Sequence, residues 1–302
     1  MFDYRLVEAL AAVLEEKGFA RAAERLCVTQ SAISQRVKQL EDSVGRALII
    51  RETPPRATPA GNLLLRHYRQ VAGLEDGVVV GLGMVRHSGF QHLPIAVNAD
   101  CLSVWLLDAI APYLREVSVT LEIFVDDSDH NLRLLQAGQV AGCVSSQRMD
   151  IPGFKSTRIG TVRYLLCASP AFRDRWFPHG IDRESALGAP IIHFSRDDRL
   201  QLKSLAKLLG KPQITPPAHY IPSPEKFNEA ITLSLGYAMI PEVQAQPLLQ
   251  RGAIVELDPG ARLNTALYWY RWSHSGALLK DFSKVLLSQG RRLLEMPDDT
   301  AL

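Results

Sequence analysis

The stretch from residue 1 to 58 constrains this chain most, because three short helical patterns and a basic ribbon follow one another there with few alternative packings. Leu6, Leu10 and Val13 form one stripe, with Val7, Ala11 and Leu14 beside it, and the pattern ends at Lys17-Gly18. An alanine-rich segment from Ala20 to Leu26 comes next, with Ala22, Ala23 and Leu26 turned inward, and its small side chains let another helix approach closely. After a break at Cys27-Val28-Thr29, a third helix is predicted from about Ser31 to Val44, stopped by Gly45. Ala47 to Arg51 reads as a strand, Thr53-Pro54-Pro55 as a turn and Arg56-Ala57-Thr58 as the return strand. That hairpin has the form of a wing.

On a wheel of roughly 100° per residue, Ile33, Val37 and Leu40 of the third helix share a face that can bury against the first two helices. Ser31, Ser34, Gln35 and Lys38 lie opposite, and no acidic residue occurs between Thr29 and Leu40. Short hydroxyls, amides and cations are the set that reads base edges and phosphates in a major groove. Gln35 suits a paired contact to adenine, Lys38 a guanine or phosphate, and the helix N-terminus a phosphate through its free N–H groups. Arg51 and Arg56 flank the wing turn and are placed to meet neighbouring phosphates. For one helix alone, a solvated polar face is the ordinary reading. The small-residue helix, tight turn, amphipathic helix and basic hairpin together favour DNA. A formal net charge of +2 means that any such affinity must be local. A monomer with so few cations should bind a half-site weakly, whereas a dimer doubles the phosphates it can meet and implies a two-fold-related site.

Thr58-Pro59 is a cap followed by proline at the first helical position, and it opens a long helix predicted to run to about His87. Leu64, Val71, Val78 and Val85 recur every seven residues, with Tyr68 and Leu82 at intervening positions, which is the spacing of a paired-helix seam. Glu75 on the seam and the glycines at 73, 77, 81 and 83 predict a loose or bent pairing. The alternative is a helix packed on its own domain; dimerisation is favoured because little neighbouring chain is available to cover it.

Beyond Ser88-Gly89, strands and helices alternate. Leu93–Val97, Val119–Val125 and Val140–Val144 read as strands, separated by helices over Cys101–Leu114 and Ser128–Ala137. That βαβαβ run implies a largely parallel sheet with helices on both faces. The alternation returns in Arg163–Ala168, Pro190–His193 and Tyr237–Ile240, and the tail supplies a strand (Ala266–Trp272) and a helix (Leu278–Leu294). The fold expected is therefore α/β: two lobes joined by two crossings, with a cleft between them. No internal repeat is visible.

Other classes fare poorly. The four cysteines (Cys27, Cys101, Cys143, Cys167) form no CxxC pair, and the eight histidines show no ligand spacing. Both features point away from zinc, and the cysteines fit reduced thiols better than a disulfide framework. The expectation is a cytoplasmic protein without metal or cofactor. Asp3, Arg5, Glu8, Glu15 and Glu16 break the first apolar stretch, so no secretory signal is read, and no window approaches the roughly 18 apolar residues of a membrane span. An enzyme is the main rival, but its signals are weak. The glycines from Gly77 to Gly83 sit in a long helix instead of between strand and helix, and Ser273-His274-Ser275-Gly276 gives neighbours in sequence, not a spatial pair. A solute-binding protein of the transport class is opposed by the N-terminal winged unit and the missing signal.

The string Ala22-Ala23-Glu24-Arg25-Leu26-Cys27-Val28-Thr29-Gln30-Ser31-Ala32-Ile33-Ser34-Gln35-Arg36-Val37-Lys38-Gln39-Leu40-Glu41 resembles the N-terminal signature of LysR-type transcriptional regulators. Leu48-Ile49-Ile50-Arg51 and Ala57-Thr58-Pro59-Ala60-Gly61 match the same family. Further marks resemble its ArgP/LysG branch, which controls export of basic amino acids: Pro54-Pro55-Arg56, Val97-Asn98-Ala99-Asp100, Trp105-Leu106-Leu107, Phe177-Pro178 and Tyr268-Trp269. The resemblance implies a winged helix-turn-helix (1–58), a dimerising linker helix (59–89) and a periplasmic-binding-protein-like effector domain (90–302). Within the last, lobe I covers about 90–161 and 267–302, and lobe II about 162–266. It implies Gln30, Ser31, Ser34, Gln35, Lys38, Arg51 and Arg56 as the DNA-contacting set. Promoter DNA, a small-molecule effector such as lysine or arginine, RNA polymerase and further copies of the chain, as a homodimer or homotetramer, are the partners implied.

Ligands of open α/β folds sit beyond the carboxyl ends of strands. Here those ends carry Asn98, Asp100 and Cys101, then Asp127, then Ser145 and Gln147, while Ser223 and Glu225 can close over from the other lobe. A basic amino acid needs a carboxylate for its side-chain cation, from Asp100, Asp127 or Glu225, and donors for its α-carboxylate, from Ser145 or Ser223. The plain alternative is that these acids and serines cap helices. Cys101 stands where related regulators tend to carry serine or threonine, and a thiol is the weaker hydrogen-bonding group. A redox role for it would need an exposed thiol of low pKa.

Overall fold

A computed structural model describes residues 2–82, 90–210 and 215–294. Helix α1 (Tyr4–Glu15) starts at Asp3, whose carboxylate accepts the Arg5 N–H, and α2 (Phe19–Arg25) follows after a short turn. Helix α3 (Gln30–Val44) is capped by the Thr29 hydroxyl, which accepts the Ala32 N–H at 3.1 Å. It ends at Gly45, whose φ of 70° is the left-handed conformation that favours glycine. Strands β1 (Ile49–Ile50) and β2 (Arg56–Ala57) pair antiparallel as the wing. Val7, Leu10 and Val13 meet Ala22, Ala23, Ile33, Val37, Leu40 and Leu48 in one core, as the periodicity predicts.

Helix α4 (Pro59–Gly81) is shorter among the described residues than expected, and its seam is divided. Leu64 is buried in the N-terminal core and Tyr68 packs against it, so the first seam positions cover α1 and not a partner helix. Further along, Leu74, Val78 and Leu82 are 46%, 61% and 67% exposed. The amphipathic pattern thus serves the helix's own domain at one end and leaves a bare apolar stripe at the other. Val85 lies outside the described residues.

The larger part of the chain opens with β3 (Gln91–Val97). The helix α5 (Ala99–Cys101) follows and runs through a π-helical turn, Leu102–Leu106, into α6 (Leu107–Glu116). Strand β4 (Val119–Val125), α7 (Ser128–Gln136) and β5 (Gly142–Ser145) complete the βαβαβ unit, with β3 central and parallel to both neighbours. Strand β6 (Phe154–Ala168) leads into α8 (Pro170–Trp176), α9 (Arg183–Gly188), β7 (Ile191–His193), α10 (Leu200–Leu209) and β8 (Ala218–Tyr220). Then come α11 (Pro224–Thr232), β9 (Ala238–Pro241), α12 (Glu242–Gln250), β10 (Val255–Glu256), β11 (Leu263–Trp272) and α13 (Ala277–Leu294).

The strand order is β10-β6-β11-β5-β3-β4, with β9 also on β6. Three strands are parallel, but β11 returns antiparallel between β5 and β6. Strand β6 spans both lobes: its first part pairs with β11 and its end, Tyr164–Cys167, with β9. Leu267 pairs with Gly160 and Tyr268 with Arg158, which leaves Ile159 as a bulge. Only the end of β6 is evident as a strand in sequence. From Lys155 to Thr161 only Ile159 is fully buried, so the hydrophobic signal is missing there. No helix among the described residues is long and apolar enough to cross a membrane.

Candidate functional site

Two places merit chemistry: the outer face of α3 with its wing, and the cleft between the lobes. On α3, Ile33 and Val37 are fully buried and Leu40 nearly so, which fixes the rotation of the helix. Gln30, Ser31, Gln35 and Lys38 are then exposed, and Ser34 is half-buried. The wing cations are partly neutralised. Arg51 lies 3.9 Å from the Glu41 carboxylate and over the Phe19 ring, and Arg56 ion-pairs with Glu52 across the turn.

Glu41, the first acid after the polar stretch, joins helix to wing. Its Oε1 accepts the Leu48 N–H at 2.8 Å and the Ile49 N–H at 3.3 Å. From the other side Thr58 donates its N–H to the Leu48 carbonyl and its hydroxyl to the Ala47 carbonyl, while its Oγ1 accepts the Gly61 N–H. Replacing Glu41 by alanine orphans two amides, so Glu41→Ala is expected to cost about 1–3 kcal/mol. A calorimetric scan checks this, and an unchanged N-terminal transition would show that the clamp is idle.

Glu15 joins the domains. Its carboxylate takes Arg25 Nη1 at 2.7 Å and Arg69 Nη2 at 3.0 Å, and Arg69 also donates to the Gly138 carbonyl beyond α7. Arg66, one turn earlier on α4, lies over Trp272 at 5.6 Å. The linker helix is thereby attached at once to α1, α2 and lobe I.

In the cleft, the expected residues separate into caps and one acid of different standing. Asn98 accepts the Cys101 N–H at 2.8 Å, Asp127 accepts those of Asp129 and His130, and Ser223 caps α11. Ser145 is buried and accepts the Gln147 N–H, Gln147 donates to Asp129 at 2.6 Å, and Glu225 is exposed in the first turn of α11. Capping thus accounts for Asn98, Asp127 and Ser223. Cys101 is fully buried, and burial pushes its thiol up, the opposite of what a reactive thiolate requires.

Asp100 differs. Its Oδ2 accepts the Tyr164 hydroxyl at 2.7 Å, and the residue is half-buried. Burial pushes its pKa up, the Tyr164 hydrogen bond opposes that, and the charge of Asp198 in lobe II adds to it. Tyr164 is pushed well above the ordinary tyrosine range by burial and by Asp100. Asp198 follows β7 and accepts the Phe194 and Leu200 N–H groups, with its Oδ2 3.9 Å from His193 Nδ1. His193 is buried and stacks on Tyr220, its Nδ1 has no hydrogen-bond partner among the described residues, and burial holds its pKa down. Gln244 of lobe II donates to Ser103 of lobe I at 3.0 Å, which holds the lobes together.

Sequence reasoning named Asp100 but missed Tyr164, His193 and Asp198. The rule that ligands sit at strand carboxyl ends, applied to Pro190–His193, was the signal for the last two.

The chain matches two family models: the bacterial regulatory helix-turn-helix protein of the lysR family over residues 4–62, and the LysR substrate binding domain over residues 88–291. It is 40% identical over 293 residues to the HTH-type transcriptional regulator ArgP of Aeromonas salmonicida, covering 97% of this chain and 98% of that one. The crystal structure of ArgP from Mycobacterium tuberculosis superposes with a TM-score of 0.87 at 36% identity, over 96% of this chain and 98% of that one. Full-length LysG from Corynebacterium glutamicum with bound effector Arg gives a TM-score of 0.77 at 30% identity, over 96% and 99% of the two chains.

Proposed function

Because the chain belongs to the LysR family of bacterial DNA-binding transcription regulators, we propose that its effector is a basic amino acid, arginine or lysine, and that it controls promoters such as those of amino-acid exporters. One observation carries this reading: Asp100, hydrogen-bonded to Tyr164, has its pKa raised by burial and by the charge of Asp198 from the opposite lobe, and no cation is among the groups that act on it. A guanidinium or ammonium placed there relieves the repulsion and gains charge-assisted hydrogen bonds. Ser145 and Ser223 are the hydroxyls available to the α-carboxylate. The related LysG holds arginine, which supports the same chemistry here. Closure of the lobes on the ligand would move lobe I, and through Arg66 and Arg69 the linker and winged domain.

The DNA-contacting set is Gln30, Ser31, Ser34, Gln35 and Lys38 on α3 with Arg51 and Arg56 on the wing. The bare stripe Leu74, Val78 and Leu82 supports pairing of two linkers, hence a homodimer or a tetramer of such pairs at a two-fold-related site, where RNA polymerase is recruited. The boundaries that fit this division are 1–58, 59–89 and 90–302.

Titration of the full chain by calorimetry tests the effector. Heat with arginine or lysine supports it, and no heat with either removes it. Gel shifts with DNA from upstream of its own coding sequence test the surface. Lys38→Ala should lower the slope of log affinity against log salt by about 0.9 for each phosphate it no longer neutralises. Gln35→Ala should cost about 1–3 kcal/mol and relax discrimination at one base pair. Salt slopes and sequence preferences equal to those of the parent chain would remove these residues from the interface.

A further inference from the structure

We propose a second ligand site, separate from the cleft, that takes a small organic anion with an apolar body and one hydrogen-bond donor. It is a cavity of about 570 Å³ framed by β6, the start of α12 and the end of α13, a size suited to a small metabolite. None of the cleft groups Asp100, Tyr164, His193 and Asp198 lines it.

Three guanidinium groups, of Arg158, Arg163 and Arg291, line this cavity against a single carboxylate, Glu242, and the rest of the wall is largely apolar. Arg158 is held in place by donating to Thr161 Oγ1 at 2.9 Å, and Arg291 reaches the Arg158 carbonyl oxygen at 3.4 Å. Arg163 is the one that meets an acid, with Nη1 3.5 Å from Glu242 Oε2. Arg158 and Arg291 have no ion pair among the described residues, so the described lining carries more positive than negative groups. A carboxylate can take both, because guanidinium forks match its geometry.

Glu242 supplies the acceptor. It is 8% exposed, and its Oε2 has no hydrogen-bond donor among the described residues. The Arg163 ion pair offsets part of its burial cost but leaves the oxygen's hydrogen-bonding capacity open. A ligand hydroxyl or ammonium satisfies it. Helix α12 also begins at Pro241-Glu242 without a side-chain cap, so its first N–H groups add to the positive wall.

The cavity includes Ile159, the bulge of the strand that both lobes share. A ligand there bears on the hinge between the lobes and so adds a second input to the same regulator.

Calorimetry on the full chain tests this with three probes that share an apolar body: 2-hydroxyisocaproate, 4-methylpentanoate and 4-methylpentan-1-ol. The hydroxy acid should bind, the acid without the hydroxyl should bind several-fold more weakly, and the alcohol should give no heat at the same concentration. Arg158→Ala and Arg291→Ala alter exposed side chains and should fold, and each should weaken the hydroxy acid by about tenfold or more, the value of a charge-assisted hydrogen bond. Glu242→Gln, which keeps an acceptor and removes a negative charge, should bind it as well or better. No heat from the hydroxy acid at millimolar concentration, or equal affinity in both arginine variants and the parent chain, overturns the proposal.

Discussion

A methyl group added at Gly61 is expected to cost the winged domain most of its stability and its grip on DNA. A Cβ built there falls 2.1 Å from the Leu48 carbonyl oxygen and 3.0 Å from its carbon, so backbone must move. Leu48 cannot retreat freely, because its carbonyl accepts the Thr58 N–H and its own N–H is held by Glu41. Overpacking of this kind costs about 1–3 kcal/mol, and a strained hydrogen bond adds about 1 kcal/mol. At roughly 4–8 °C per kcal/mol for a domain of this size, the first unfolding transition of Gly61→Ala should drop by more than about 10 °C. Gly73, farther along α4, is the control, since a Cβ there meets nothing within 4 Å. Gly73→Ala should stabilise its helix by up to about 1 kcal/mol. Equal transitions for Gly61→Ala and the parent chain would mean that the wing and linker do not meet at Leu48.

The contrast between these glycines shows what a linear sequence reveals. The α3 face was legible because its period is local: Ile33, Val37 and Leu40 recur at helical spacing, and burying them leaves Ser31, Gln35 and Lys38 outside whatever else the chain does. The seam on α4 was legible only as a period, since apolar residues at seven-residue spacing read alike whether they meet a partner or their own domain. Leu64 and Tyr68 turned out to meet their own domain. The cleft was least legible. Asp100 and Tyr164 are 64 residues apart, and Asp198 reaches them only because β6 and β11 carry the chain from one lobe to the other. Cap and ligand use the same side chains at the same positions, and only coordinates separate Asp127, committed to two amides, from Asp100, committed to none.

Asp100→Asn should leave the effector-free protein at least as stable at neutral pH while weakening arginine by roughly thirtyfold or more. The stability half follows from the sign of the shift. A carboxyl whose folded pKa is raised contributes stability below its ordinary value, about 3.9, and loses it as pH rises through the folded value. At neutral pH the buried carboxyl is therefore a burden that asparagine removes, and its Oδ1 still accepts the Tyr164 hydroxyl. The binding half follows because a buried cation deprived of its carboxylate costs about 2–5 kcal/mol. A cationic ligand pulls the Asp100 proton off, so affinity in the parent chain should rise with pH through the raised value, and protons should be released on binding. Both effects should vanish in Asp100→Asn, whereas Asp198→Asn should lower the Asp100 pKa by removing a like charge and move the rise to lower pH. Titrations in two buffers of different ionisation enthalpy count the protons. An Asp100→Asn chain that is less stable and binds arginine as tightly as the parent would mean that this carboxyl is a structural partner of Tyr164 and nothing more.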